Sequence, residues 1–278
     1  HFLKVELLLQ RMVRPPISVQ AGRSHGQNNL MIALGICIAS RSKQRGGSPL
    51  PLLPERRQAR VQRHADAGAR RAAVLVPIAS VEGVPSIVLS VRSMIVSQPG
   101  QVSFPGGHLE AEENPVQAAF REAEEELGYE FRRDFQLVDE CSDIMAPSGV
   151  VVTPVVAIRS RELNLENLKL SEEVASVFAL PITHLLDDNH REWRTYEGRG
   201  RMPVFFGGPE EVWGLTAYIL DGVLDAVVAP CWHGLRADSD TDQVMSSSTP
   251  QEVEARPSDF PGIATSSSLQ SPPPSPPQ

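Results

Sequence analysis

Residues Gly107 to Tyr129 read GHLEAEENPVQAAFREAEEELGY, an acid-rich loop opening on Gly107 and running into a short helix crowded with carboxylates. Asn114 is a good N-cap, Pro115 suits the first helical position, where no N–H is needed, and Gln117 completes a capping box, so the spacing predicts a helix starting here. Gly128 ends it. At about 100° per residue, Val116, Ala119, Phe120, Ala123 and Leu127 share one narrow stripe, the face that packs into a core. Glu122, Glu125 and Glu126 stand at i, i+3 and i+4 and converge on one flank of that stripe, whereas Glu124 points to the other side. Stacked carboxylates repel unless something positive sits between them, and hard oxygen ligands in this arrangement suit Mg²⁺ or Mn²⁺. For an EAEEE string taken alone, the plain alternative is a solvated helix face.

The surroundings of the string decide between the two. Gly107, five residues, Glu113, seven residues, then Arg121-Glu122-Ala123-x-Glu125-Glu126-x-Gly128-Tyr129 resembles the Nudix box of the Nudix hydrolase superfamily at every defined position. Upstream, Ile87 to Ser93 followed by Pro99 to Gly107 resembles the additional motif of the coenzyme A diphosphatase subfamily. Ser148 to Val156 and Val212 to Ala217 are similar to further segments of it, so the resemblance runs from about Ala72 to Val228. The chain departs from the pattern between Ser93 and Gly100. One more residue and an Arg or His are expected there, and Met94-Ile95-Val96-Ser97-Gln98-Pro99 stands instead.

The resemblance implies a Nudix α/β/α sandwich, in which a mixed sheet lies between helices and the loop-helix catalytic box forms a metal site at its edge. It implies hydrolysis of a diphosphate joined to another moiety, with water as the nucleophile and no covalent Ser or Cys. Mg²⁺ or Mn²⁺ would be held by Glu122, Glu125 and Glu126, with Arg121 and Glu113 orienting these ligands by ion pairing. Glu122 itself, or a loop carboxylate at Glu172 or Glu173, is the candidate general base. Gly106 and Gly107 belong to a tight loop expected to face phosphate, and Arg92 is the candidate phosphate contact. Similarity to the subfamily implies cleavage of coenzyme A or its thioesters to 3′,5′-ADP and 4′-phosphopantetheine or its acylated form. Two alternatives stand beside it: a hydrolase of another nucleoside diphosphate derivative such as ADP-ribose or NADH, and a nonhydrolytic binding module. Such modules usually lose box carboxylates, and this chain keeps them all.

Composition bounds the rest. At 278 residues and 41% apolar content the chain can bury one substantial core, while 24 Pro and 20 Gly indicate that part of it lies outside that core. Residues 1–71 carry 13 basic and 3 acidic side chains, a charge of +10. The remainder carries 13 basic and 31 acidic side chains, a charge of −18. An acidic body offers no footprint for nucleic acid, and a small-molecule substrate is the expected partner. Cys37, Cys141 and Cys231 are odd in number and widely spaced, which suggests a reducing compartment, and Cys141 reads as a small core residue. No continuous apolar run approaches the length of a membrane span.

Read in order, residues 1–71 form a basic leader that resembles an organelle transit peptide and equally fits a disordered extension; Leu30 to Ala39 is placed outside the core. The expected location is mitochondrial or cytoplasmic, and the C-terminus carries no peroxisomal address. Residues 72–236 are the expected Nudix domain. Strands are predicted at Ala72–Ile78, Ser86–Arg92, Phe135–Cys141, Val150–Ile158 and Met202–Phe206, with a helix over Val212–Val228 in which Trp213 is read as a core anchor. Residues 237–278 read as a disordered Ser/Pro-rich tail.

Overall fold

A computed structural model describes residues 24–46, 48–197 and 200–235. In chain order the elements are α1 (Ser24–Gln44), α2 (Glu55–Asp66), β1 (Arg71–Val81), β2 (Val84–Arg92), β3 (Val102–Ser103), β4 (Gly106–His108), α3 (Pro115–Leu127), α4 (Phe131–Asp134), β5 (Gln136–Glu140), β6 (Ile144–Met145), β7 (Val151–Glu162), β8 (Val174–Pro181), α5 (Ile182–Leu185), β9 (Arg191–Tyr196), β10 (Gly200–Phe205) and α6 (Gly214–Val223). Helix α6 runs on through a π turn at Leu224–Val228, so that the whole helical stretch is Gly214–Leu235.

The centre is β1 paired in parallel with β7, with antiparallel partners on every other side: β2 and β4 on β1, β8 and β3 on β2, β5 and β6 on β7. A strand buried on both faces needs a layer above and a layer below, and here the period of two sorts the side chains cleanly. Ala73, Leu75 and Ala79 of β1, Val88 of β2 and Val155 and Ala157 of β7 join Ala119, Phe120, Ala123 and Leu127 of α3 in one core. Their neighbours Val76, Ile78, Ile87, Leu89, Val156 and Ile158 join α1 and α6 in the other. The result is the mixed-sheet α/β/α sandwich expected from the sequence. The β1–β2 hairpin turns at Glu82 and Gly83, both with positive φ, between the two predicted strands.

Two expectations are corrected. Leu30 to Ala39 lies in the core: Met31, Leu34 and Ile38 of α1 are fully or almost fully buried, and Gly35 permits close approach to Ile158 of β7, whose Cγ2 lies 3.2 Å from where a Cβ would stand. Leu50 extends this packing by pairing with Cys141. The packed body therefore begins upstream of residue 72. The thiols differ too, because Cys37 of α1 and Cys231 of the α6 stretch are joined by a disulfide, with Cα atoms 5.8 Å apart and a sequence separation of 194. Cys141 is free and buried as expected. Residues 1–23 and 236–278, including all of the Ser/Pro-rich tail, lie outside the described residues.

Gly214–Leu235 is long and apolar enough, by length and composition, to cross a membrane. Its apolar side is engaged with the sheet through Ile219, Leu220, Val223, Val227 and Trp232, and Asp221 pairs with Arg191 at 2.8 Å. These contacts are those of a core helix. The β9–β10 hairpin, whose first strand the sequence reading did not predict, leads into it through a two-bond bridge between Phe205 and Val212.

Leu34→Ala is expected to lower unfolding stability by about 2–5 kcal/mol, the range for a fully buried leucine, and a chain starting at residue 72 is expected to lose its cooperative thermal transition. Calorimetry on both checks the placement of α1.

Candidate active site

Helix α3 starts and stops as its sequence dictates. The Asn114 side chain accepts from the Gln117 N–H at 2.9 Å while the Gln117 side chain accepts from the Asn114 N–H at 3.0 Å. Gly128 closes the helix in the left-handed region at φ 57°, where a Cβ would meet the Lys169 carbonyl at 2.3 Å. With both ends fixed, the box carboxylates separate by face. Glu126 is buried at 8% exposure, and its Oε2 accepts from the Gly106 N–H at 3.3 Å. Glu122 lies against Gly107, where a Cβ would stand only 2.4 to 2.6 Å from the carboxylate. Glu124 turns the other way and accepts from the Arg132 N–H at 2.8 Å.

Arg121 organises the flank. Its Nε and Nη2 donate to the two oxygens of Glu113 at 3.0 and 2.9 Å, its Nη1 donates to Glu122 at 3.0 Å and Glu125 at 3.2 Å, and Nη2 also reaches the His108 carbonyl at 3.0 Å. This fork holds Glu113 below the usual carboxylate range, and the paired carboxylates raise Arg121 in turn. Arg121 thus forms ion pairs with Glu113, Glu122 and Glu125.

Glu122, Glu126, Arg92, Gly106 and Gly107 line one cleft of about 690 Å³, together with Glu173. Glu125 does not line it, and its side chain is 60% exposed beside Arg121. Glu172 does not line it either. The two loop glutamates, equivalent in sequence, are separated by backbone ties: the Ser171 N–H donates to the Glu126 carbonyl at 2.8 Å, and the Ser93 N–H to the Glu173 carbonyl at 2.8 Å. Arg92 at the end of β2 donates through Nε to the Ser97 carbonyl at 2.9 Å, which closes the 93–100 loop over it. Trp213 is the site residue that sequence reasoning misplaced. It lines the cleft and is 39% exposed, because the bridge at Val212 fixes the chain just before the helix begins. Its position one residue before a helix-starting glycine was the available signal.

Burial dominates the electrostatics of the acids. Desolvation pushes the Glu126 carboxyl up to about 8, with the Gly106 N–H opposing it and the charges of Glu122 and Glu173 adding to it. Glu122 is raised as well, chiefly by desolvation. Three carboxyl groups thus face one cleft in which Arg92 is the sole Arg or Lys among the lining residues.

Residues 69–198 match the NUDIX domain family. The chain is 38% identical over 167 residues to the mitochondrial coenzyme A diphosphatase NUDT8 of Homo sapiens, an overlap that covers 57% of this chain and 70% of that protein. It is 35% identical over 170 residues to the mitochondrial coenzyme A diphosphatase NUDT8 of Mus musculus, covering 58% and 80%. It is 33% identical over 156 residues to an uncharacterized Nudix hydrolase, NudL, of Photorhabdus laumondii, covering 54% and 81%.

With its pKa raised from 4.5 to about 8, Glu126 in the metal-free protein keeps a proton that the unfolded chain releases. The resulting stability is present below about pH 4.5 and lost as pH rises toward about 8. Glu126→Gln is expected to flatten that decline relative to the parent, measured as Tm across pH 5 to 8 in chelator.

Proposed function

The chain belongs to the NUDIX hydrolase family, and we propose that it is a divalent-metal-dependent coenzyme A diphosphatase. One observation carries this reading: a single cleft joins Glu122, Glu126 and Glu173 to Arg92 and to the Gln101–Gly107 segment that resembles the coenzyme A diphosphatase motif. The names of the human and mouse relatives support the same substrate, and their mitochondrial location supports a mitochondrial site for this chain.

The donor set fits a hard dication. Glu126 is a buried carboxylate with a single neutral N–H partner, and Glu122 and Glu173 add like charge rather than relief. Glu122 and Glu126 would hold the ion from the cleft wall, with Glu125 joining from the helix flank. Bound there, such an ion supplies neutralisation of the diphosphate charge and acidification of water.

The protein's own residues do the remaining work. Arg92, which lines the cleft, would donate to a phosphate oxygen, a contact that gains strength in a partly water-excluded cleft. Gly106 and Gly107 keep the loop backbone free of side chains, so the phosphates can approach β4. Glu173, exposed and within the cleft, is the general base we favour over Glu172: it takes a proton from the attacking water. The water oxygen bonds to phosphorus as the bridging P–O bond breaks, and two phosphomonoesters leave, 3′,5′-ADP and 4′-phosphopantetheine. Arg121 stays behind the carboxylates as a positioning residue, since its donors are already taken by Glu113, Glu122 and Glu125.

Incubation with coenzyme A and Mg²⁺ or Mn²⁺, followed by chromatography, is expected to yield those two products. Glu126→Gln should lower turnover by a factor on the order of 10² or more, and Glu124→Gln far less. Equal losses would remove the argument from helix faces. Hydrolysis of ADP-ribose at least as efficient as that of coenzyme A would overturn the substrate.

A further inference from the structure

The cleft draws its walls from both layers of the sandwich. Glu122 and Glu126 come from α3 on one face of the sheet, whereas Trp213, Leu215, Thr216 and Ile219 come from the start of α6 on the other. Trp213 differs from the other two tryptophans. Trp232 is buried at 4%, and Trp193 on the outer hairpin lies under the Arg201 guanidinium, 5.5 Å from its ring centroid. Among the described residues no ring or guanidinium stacks on Trp213.

The backbone on both sides of this exposed indole is fixed. Phe205 and Val212 exchange N–H to carbonyl bonds at 2.9 and 3.0 Å immediately before it, and the Thr216 hydroxyl, three residues after it, donates to the Val102 carbonyl of β3 at 2.9 Å. A large flat side chain, held rigidly at the wall of a charged cleft, presents an aromatic face at little entropic cost on binding. Pro147 lines the same cleft and offers a second flat apolar surface.

We propose that Trp213 is the stacking wall for the purine base of the substrate, and so a specificity-determining residue that selects nucleotide-bearing diphosphates. The inference rests on the diphosphatase reading above and adds the direction in which the substrate lies. Its diphosphate meets the carboxylates of the α3 layer, and its base is directed toward the α6 layer. A base has the flat π face that an indole recognises, whereas the pantetheine arm is a flexible amide chain without one.

The test uses a Trp193→Phe background, in which Trp213 is the exposed fluorophore, and titrates 3′,5′-ADP and 4′-phosphopantetheine separately without metal. Quenching by 3′,5′-ADP and not by 4′-phosphopantetheine is expected. Trp213→Ala should weaken 3′,5′-ADP binding by about 5- to 100-fold, the fold-change matching loss of one stacked base. Trp213→Phe should retain most of the affinity and shows whether the alanine variant failed merely by misfolding. In turnover, the KM for coenzyme A should rise with the same ordering while kcat changes little. Unchanged 3′,5′-ADP affinity in Trp213→Ala, or equal quenching by 4′-phosphopantetheine, would overturn the proposal. If coenzyme A is cleaved with unaltered KM in Trp213→Ala, the base wall falls and the diphosphatase reading stands. If coenzyme A is not cleaved and 3′,5′-ADP still quenches Trp213, the base wall stands and the substrate assignment falls.

Discussion

The close approach of β4 to α3 is the constraint on which the rest of the site depends. At Gly106, where φ is 156°, a Cβ would meet the Ala73 carbonyl at 2.3 Å, and at Gly107 it would meet the Glu122 carboxylate. Only a backbone without side chains lets a strand pair with β1 and at the same time lie against a helix carrying acids. The pairing of Ala72 to Val74 with Gly106 to His108 then fixes the loop to the central strand of the sheet. The catalytic helix is positioned from the sheet outward, and its own propensity contributes mainly the start and stop.

The sheet couples this helix to the opposite layer. β1 and β7 bury alternate residues against α3 and against α1 with α6, so a shift of α1 would be felt through the same strands that hold β4. The partly buried ion pair of Arg45, just past the end of α1, with Asp139 and the Cys37–Cys231 disulfide fasten α1 at two points, one to β5 and one to the α6 stretch. An N-terminal segment with the composition of a leader therefore forms one wall of the body that holds the site.

What was legible in the sequence follows from how local each signal is. The capping box, the left-handed Gly128 and the division of Glu122 and Glu126 from Glu124 are set within a few residues, and all appear in the structure. The α/β/α sandwich could be anticipated through the box and the doubly buried β7. By contrast, α1 carries a continuous apolar run with no distinct face within a basic, acid-poor region, and its burial depends on Ile158, more than 100 residues away. The Cys37–Cys231 pair is likewise a contact of tertiary structure. Glu172 and Glu173 were indistinguishable by position. Hydrogen bonds from Ser171 and Ser93 to distant partners fix this segment, and Glu173 rather than Glu172 lines the cleft. Trp213 was misread because its residue type favours a core, whereas the Phe205–Val212 bridge sets its exposure.

The charge arrangement explains why the box is built from two kinds of acid. Glu113 and Glu125 sit on the Arg121 side, where a guanidinium already balances them, and Glu113 is accordingly stabilised as the anion. Glu126 and Glu173 face the cleft, with Glu122 shared between Arg121 and that cleft. An anionic diphosphate entering there meets net negative charge from the protein, which one Arg92 does not offset. On the proposed diphosphatase reading, positive charge from outside the chain would balance such a substrate, and the desolvated pair of Glu122 and Glu126 is where that charge would gain most. Arg121 cannot supply it without releasing the acids it orients. The same salt bridges that make Arg121 a poor phosphate ligand make the carboxylates a well-held pair for a cation.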